Sequence, residues 1–147
     1  PAGTFPPFPQ QSLEPTLSTT PMSSFPEMGT ITGHLSYPAS AIPALRIAAF
    51  EISTSEVNYM DTVPGQSSYS FDLPVGTYHV VAYTIGGGGF PDAFPGGYTQ
   101  AVPCGLSVSC TDHSLINVTV TAGATTANVD PGDWYAPSGT FPPRPGP

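Results

Sequence analysis

The chain has 147 residues, 39% hydrophobic and 11% aromatic, yet only 8% are charged and the net charge is −8, where soluble domains carry about 25% charged residues. Pro 20, Gly 16, Thr 17 and Ser 15 fill 68 positions, lysine is absent, and Arg46 and Arg144 are the only fixed cations in the sequence. Two cations cannot neutralise a phosphate backbone or an anionic bilayer, no run of about 18 apolar residues can span a membrane, and the apolar share supplies one core rather than wholly disordered chain.

Twelve of the twenty prolines fall in residues 1–26 and 136–147. Proline fixes φ and biases the preceding residue toward extended backbone. Residues 1–28 therefore read as a Pro/Ser/Thr-rich extended arm and residues 136–147 as a second arm. Residues 29–135 between them form the folded unit. Its hydrophobic period is two. In 30–36, Ile31, Gly33 and Leu35 share a face. The run 44–52 (ALRIAAFEI) is apolar enough for a central strand, and 57–63 alternates. In 68–73, Tyr69, Phe71 and Leu73 point inward. A turn at Leu73-Pro74-Val75-Gly76 precedes a strand at 77–84, and 114–121 and 124–129 complete the set. No window has the helical period. The expected fold is all-β, an antiparallel Ig-like sandwich of about seven strands with extended Pro-rich arms at both ends.

The stretches ITGHLSYP, ALRIAAFE and SSYSFDLPVGTYHVVAYT resemble the carboxypeptidase regulatory-like family. Tyr69, Phe71, Leu73, Pro74, Gly76, Tyr78 and Val80 match its corner motif position by position. The Asp-Gly usual before that corner is here Gly65-Gln66. The resemblance covers 29–84 well and 114–130 loosely. It implies a prealbumin-like (transthyretin-like) β-sandwich, an accessory module of exported proteins with no catalytic residues and no cofactor.

A direct search for chemistry agrees with a non-enzymatic reading. His34 and His79 sit at outward strand positions, and the carboxylates are scattered singly without a calcium-loop array. Asp130 and Asp133 are close enough to share a cation, but a turn acid and a surface acid are the favoured reading. Cys104 and Cys110, an even pair in a chain of exported type, read as a disulfide closing a small loop. The rival is zinc, with His113 and Asp112 completing the ligands, and the spacing lacks the usual C-x2-C element.

The insertion 86–113 opens with four glycines and carries Phe90, Phe94 and Tyr98. With Trp134 these rings are a candidate ligand loop that stacks on sugars; the favoured alternative is that they cap an open end of the sandwich or meet a neighbouring subunit. Trp134 and Tyr135 are expected to anchor the C-terminal arm. Asn117 heads an N-glycosylation triplet, and Thr16, Thr19 and Thr20 are candidate O-glycosylation sites.

Residues 1–9 (PAGTFPPFP) recur as residues 137–145 (PSGTFPPRP), with seven of nine positions identical. Fixed-offset duplication marks a repeat. Gly3, Thr4, Phe5, Pro6 and Pro7, with Gly139, Thr140, Phe141, Pro142 and Pro143, are therefore expected to dock or link. Without lysine, Lys–Asn isopeptide bonds and lysine-based sortase polymerisation are chemically impossible. A trypsin-like protease would find only Arg46, since Arg144 precedes a proline. The chain opens on Pro1 without a secretory leader, so processing or excision is expected. The resulting expectation is an extracellular, cell-surface structural protein: a glycoprotein repeat or filament subunit joined head-to-tail to copies of itself. The alternative is a carbohydrate-binding or adhesion module with glycans as partners.

Overall fold

The computed structural model describes residues 27–146. The expectations placed on Gly3, Thr4, Phe5, Pro6, Pro7, Thr16, Thr19 and Thr20 lie outside the described residues.

Among the described residues the strands in chain order are β1 (Met28–His34), β2 (Leu45–Glu51), β3 (Val57–Asp61), β4 (Ser68–Pro74), β5 (Gly76–Thr84), β6 (Pro95–Gly97), β7 (Val118–Val120) and β8 (Thr125–Thr126), with a short helix, α1 (Ala101–Cys104), between β6 and β7. They form a three-stranded sheet, β4-β1-β8, and a five-stranded sheet, β3-β2-β5-β6, with β7 also paired to β5. Strands β6 and β7 share one edge of β5. The first lies beside Val81 to Tyr83 and the second beside Gly76 to Tyr78.

The alternation in β4 buries Tyr69, Phe71 and Leu73. They meet Leu45, Ile47, Ala49, Tyr78, Val80 and Ala82 of the other sheet in one core. A core shared by two sheets is consistent with a β-sandwich. The corner at Leu73 to Gly76 carries the chain from the small sheet to the large one, because β4 and β5 belong to different sheets. Tyr78 two residues further on pins this corner, its hydroxyl donating to the Pro74 carbonyl at 2.7 Å.

Several elements differ from expectation. The pairing of β1 with β8 is parallel, Thr30 opposite Thr125, an exception in a set otherwise antiparallel. The segment expected to be strand over 124–129 is reduced to two residues. Asn128 adopts φ 63°, a left-handed conformation that interrupts a ladder, although the Val129 N–H still reaches the Thr32 carbonyl at 2.9 Å. The segment 114–121 shortens to β7 because its start is turned by Asp112, which accepts from both the N–H and the hydroxyl of Ser114. Strand β6 and helix α1 fall inside the insertion, where sequence periodicity signalled neither.

Candidate functional site

Strand β5 is buried along both faces. Tyr78, Val80 and Ala82 enter the core, whereas Val81 and Tyr83 join Ala48 of β2 in a second apolar cluster on the outer face of the large sheet. Phe50, Leu115 and Phe141 cover that cluster. Residues 136–146, extended in composition, thus lie against the domain that precedes them. The segment begins with a turn: Gly139 adopts φ 87°, and the N–H and hydroxyl of Thr140 both donate to the Pro137 carbonyl, at 3.1 and 2.6 Å. Glycine is the residue that takes this φ without strain. The Phe141 ring then sits over Gly97, where an added Cβ would stand 2.7 Å from Cζ.

Beyond the ring, the Tyr83 hydroxyl donates to the Pro142 carbonyl at 2.5 Å, and burial pushes its pKa up. Arg144 donates to Asp92 at 2.6 Å and to the Thr84 carbonyl at 3.2 Å. Hydrogen bonds from Arg144 and from the Gly86 N–H hold the Asp92 carboxyl below its ordinary value. Arg46 donates to the Pro145 carbonyl at 2.8 Å, pairs with Asp61 at 2.8 Å and lies 4.4 Å from the centre of the Tyr59 ring. Both arginines of the sequence thus bond across this contact, Arg46 from the sheet and Arg144 from the segment. Pro143 is exposed.

The aromatic residues of the insertion divide. Phe94 stacks on Trp134 with centroids 5.8 Å apart, Trp134 meets Tyr37 edge-on at 5.0 Å, and Tyr37 meets Phe90 edge-on at 5.6 Å. Trp134 is only 5% exposed and donates Nε1–H to the Ser36 carbonyl at 2.9 Å. Phe94, at 38%, is the most open ring of the three insertion aromatics with Trp134. Tyr98 does not join them; it packs against the main core. Tyr135, beside Trp134, is exposed.

Cys104 and Cys110 form a disulfide, so their sulfurs are not thiolate ligands for zinc. The loop they close borders a cleft of about 490 Å³ that His113 and Tyr135 also line. Asp133, expected at the surface, is fully buried. Its Oδ2 accepts from Thr99 and from His113 Nδ1, each at 2.6 Å, and its Oδ1 from the Tyr135 N–H at 3.1 Å. Both oxygens of this side chain are hydrogen-bonded, as buried polar groups are, and it ties β6, the disulfide loop and the C-terminal segment together. Asp130 instead accepts from the His34 N–H at 2.8 Å, so the two acids face different partners. Asn117 is exposed just ahead of β7, and its Oδ1 lies 2.8 Å from His79 Nε2. Among the described residues no group of three or more His, Cys, Asp or Glu could hold a metal ion.

No protein-family model matches the chain, and no curated protein matches it. Among solved structures, a leucine-rich repeat protein from Bacteroides thetaiotaomicron VPI-5482 aligns over 71% of this chain at 16% identity, with a TM-score of 0.43. The chain spans 14% of that protein's length.

Sequence reasoning missed Tyr37, Tyr83, Asp92 and Gly97. The Gly96-Gly97 pair amid aromatic residues was the available signal, since a glycine in a strand marks close approach of another group.

Proposed function

We propose that this is a non-catalytic extracellular structural protein, a repeating unit or subunit of a surface filament joined through its Pro-rich arms. The observation that carries this reading is the packing of the C-terminal copy of the duplicated segment: Phe141, Pro142 and Arg144 all contact the large sheet. A plain spacer has no reason to contact the domain it leaves, and none to recur with Gly-Thr-Phe-Pro-Pro intact. The disulfide supports an oxidising, extracellular setting. With no lysine for isopeptide or sortase links, the proposed joining is noncovalent, a strand exchange or one continuous polypeptide. The two-sheet core and the Tyr78-pinned corner support an Ig-like, prealbumin-like sandwich of the carboxypeptidase regulatory-like kind.

Electron microscopy of the purified protein tests the reading. Ordered fibres that disappear on deletion of residues 1–26 are expected, and dispersed single particles at all concentrations would overturn it. The convergence of Phe90, Phe94 and Tyr37 beside Trp134 favours a second reading, a carbohydrate-binding module. Glycan-array binding lost in Phe94→Ala and Phe90→Ala would establish it. A blank array would dismiss it.

A further inference from the structure

The chain carries the Gly-Thr-Phe-Pro-Pro segment twice, and the described residues offer one groove, on the outer face of the five-stranded sheet, in which a copy lies. We propose that this groove is a receptor for the segment as such, and that the N-terminal copy, residues 1–9, occupies the same groove on a second copy of the domain. The inference rests on the assembly reading above and supplies its contact.

The correspondence holds at every contact of residues 137–145 except those of Arg144. The turn uses the Pro137 carbonyl, Gly139 and Thr140, and Pro1, Gly3 and Thr4 repeat them. The seat over Gly97 takes Phe141, repeated as Phe5. Tyr83 donates to the Pro142 carbonyl and Arg46 to that of Pro145, repeated as Pro6 and Pro9. The two positions that differ are informative. Ser138, replaced by Ala2, is exposed. Arg144, replaced by Phe8, makes the Asp92 pair and the bond to Thr84.

A docked N-terminal copy therefore forgoes the Arg144 bonds and keeps the rest. Asp92 is 60% exposed, so water solvates it when the arginine leaves, and the handicap is small. The resident segment is also tethered, which raises its effective concentration. Exchange is thus disfavoured in a dilute chain and favoured where domains are held side by side. The 18 residues from 10 to 27 can extend about 60 Å, enough to reach a neighbour.

The full-length Phe5→Ala/Phe141→Ala chain, with both ring anchors removed, is titrated with a peptide of residues 1–9 and followed by amide NMR. Shifts at Ala48, Val81, Tyr83 and Gly97 are expected. The Phe5→Ala peptide should bind at least about tenfold more weakly, and the Phe8→Arg peptide about two- to fivefold more tightly. No shift at those four residues, or equal binding by the Phe5→Ala peptide, would overturn the proposal. If the double variant lacks a folded spectrum, the same titration on the Arg144→Ala chain applies the same criteria. Microscopy separates the two readings. Peptide docking without fibres leaves the groove standing and removes the filament, whereas fibres that survive Phe5→Ala leave the filament and remove the groove.

Discussion

Gly97→Ala probes the seat of Phe141 directly. The new methyl would lie 2.7 Å from Cζ and 2.8 Å from Cε1 of that ring, and 3.2 Å from Cδ2 of Leu115. Leu115 can turn aside. Strand β6 cannot easily retreat, because Gly97 is paired with Val81 of β5 and exchanges backbone hydrogen bonds with Asp133 at 3.1 and 3.0 Å. The ring must therefore lift. Overpacking of this kind costs about 1–3 kcal/mol, offset by about 0.4–1 kcal/mol from the reduced freedom of the unfolded chain. The net loss in the wild-type background is about 1–2 kcal/mol. Phe141→Ala alone, removing a half-buried ring, costs about 2 kcal/mol. With the ring gone the Gly97 methyl has room, so the second substitution becomes neutral or slightly stabilising. Urea unfolding of the four proteins, with m unchanged, should give a coupling of about 1 kcal/mol or more between the sites. Additivity within about 0.3 kcal/mol would refute the docked position of the segment.

Glu51 accepts from the N–H and hydroxyl groups of both Ser53 and Thr54 and from the Thr77 N–H; the Ser53 hydroxyl foremost lowers its pKa from 4.5 to about 2. The folded state prefers the charged form, so this stabilisation is present above pH 4.5 and is lost as pH falls toward 2; melting temperature should drop across that window less steeply in Glu51→Gln than in wild type, and identical slopes would contradict it. Asp133→Asn sets an amide N–H against a donor whichever way it turns, since both oxygens of Asp133 accept; a loss of about 2–3 kcal/mol in urea unfolding is expected, and less than about 0.5 kcal/mol would reject the buried-carboxylate assignment. The disulfide spans a sequence separation of 6, so its reduction should cost about 2 kcal/mol and shift amides near α1 and the adjoining cleft while far-ultraviolet dichroism holds; loss of sheet signal would show that the bond staples the core.

The strands with one wet face were legible. In β4 the inward Tyr69, Phe71 and Leu73 alternate with exposed Ser68, Ser70 and Asp72, and alternation is the imprint of a half-buried strand. Strand β6 left no such imprint. Pro95, Gly96 and Gly97 carry no apolar pattern, and their place beside β5 is set by the rings of Trp134 and Phe141 lying where side chains would otherwise be. The aromatic group was recognised in Phe90, Phe94 and Trp134 but not in Tyr37, which comes from the loop after β1 and has no spacing relation to the rest. Asp133 was misjudged for the same reason: its partners Thr99 and His113 arrive from elements distant in the chain, so nothing local distinguishes it from a turn acid.

The apolar runs in β2 and β5 carried more than strand propensity. ALRIAAFEI and TYHVVAYT do not alternate cleanly, and a strand whose two faces are both apolar requires cover on both. One face has the small sheet. The other, with Ala48, Val81 and Tyr83 almost fully buried, needs a second layer, yet no helix among the described residues is long enough to supply it. A proline-rich segment suits the task, because its backbone is already extended and loses little freedom on docking. The Phe141 ring, with Phe50 and Leu115, then covers Ala48, Val81 and Tyr83. Composition that first reads as linker is thereby what an outer face of this kind selects. The same segment stands again ahead of β1 in the sequence, and the proposed exchange would give it an equivalent surface on a neighbouring domain.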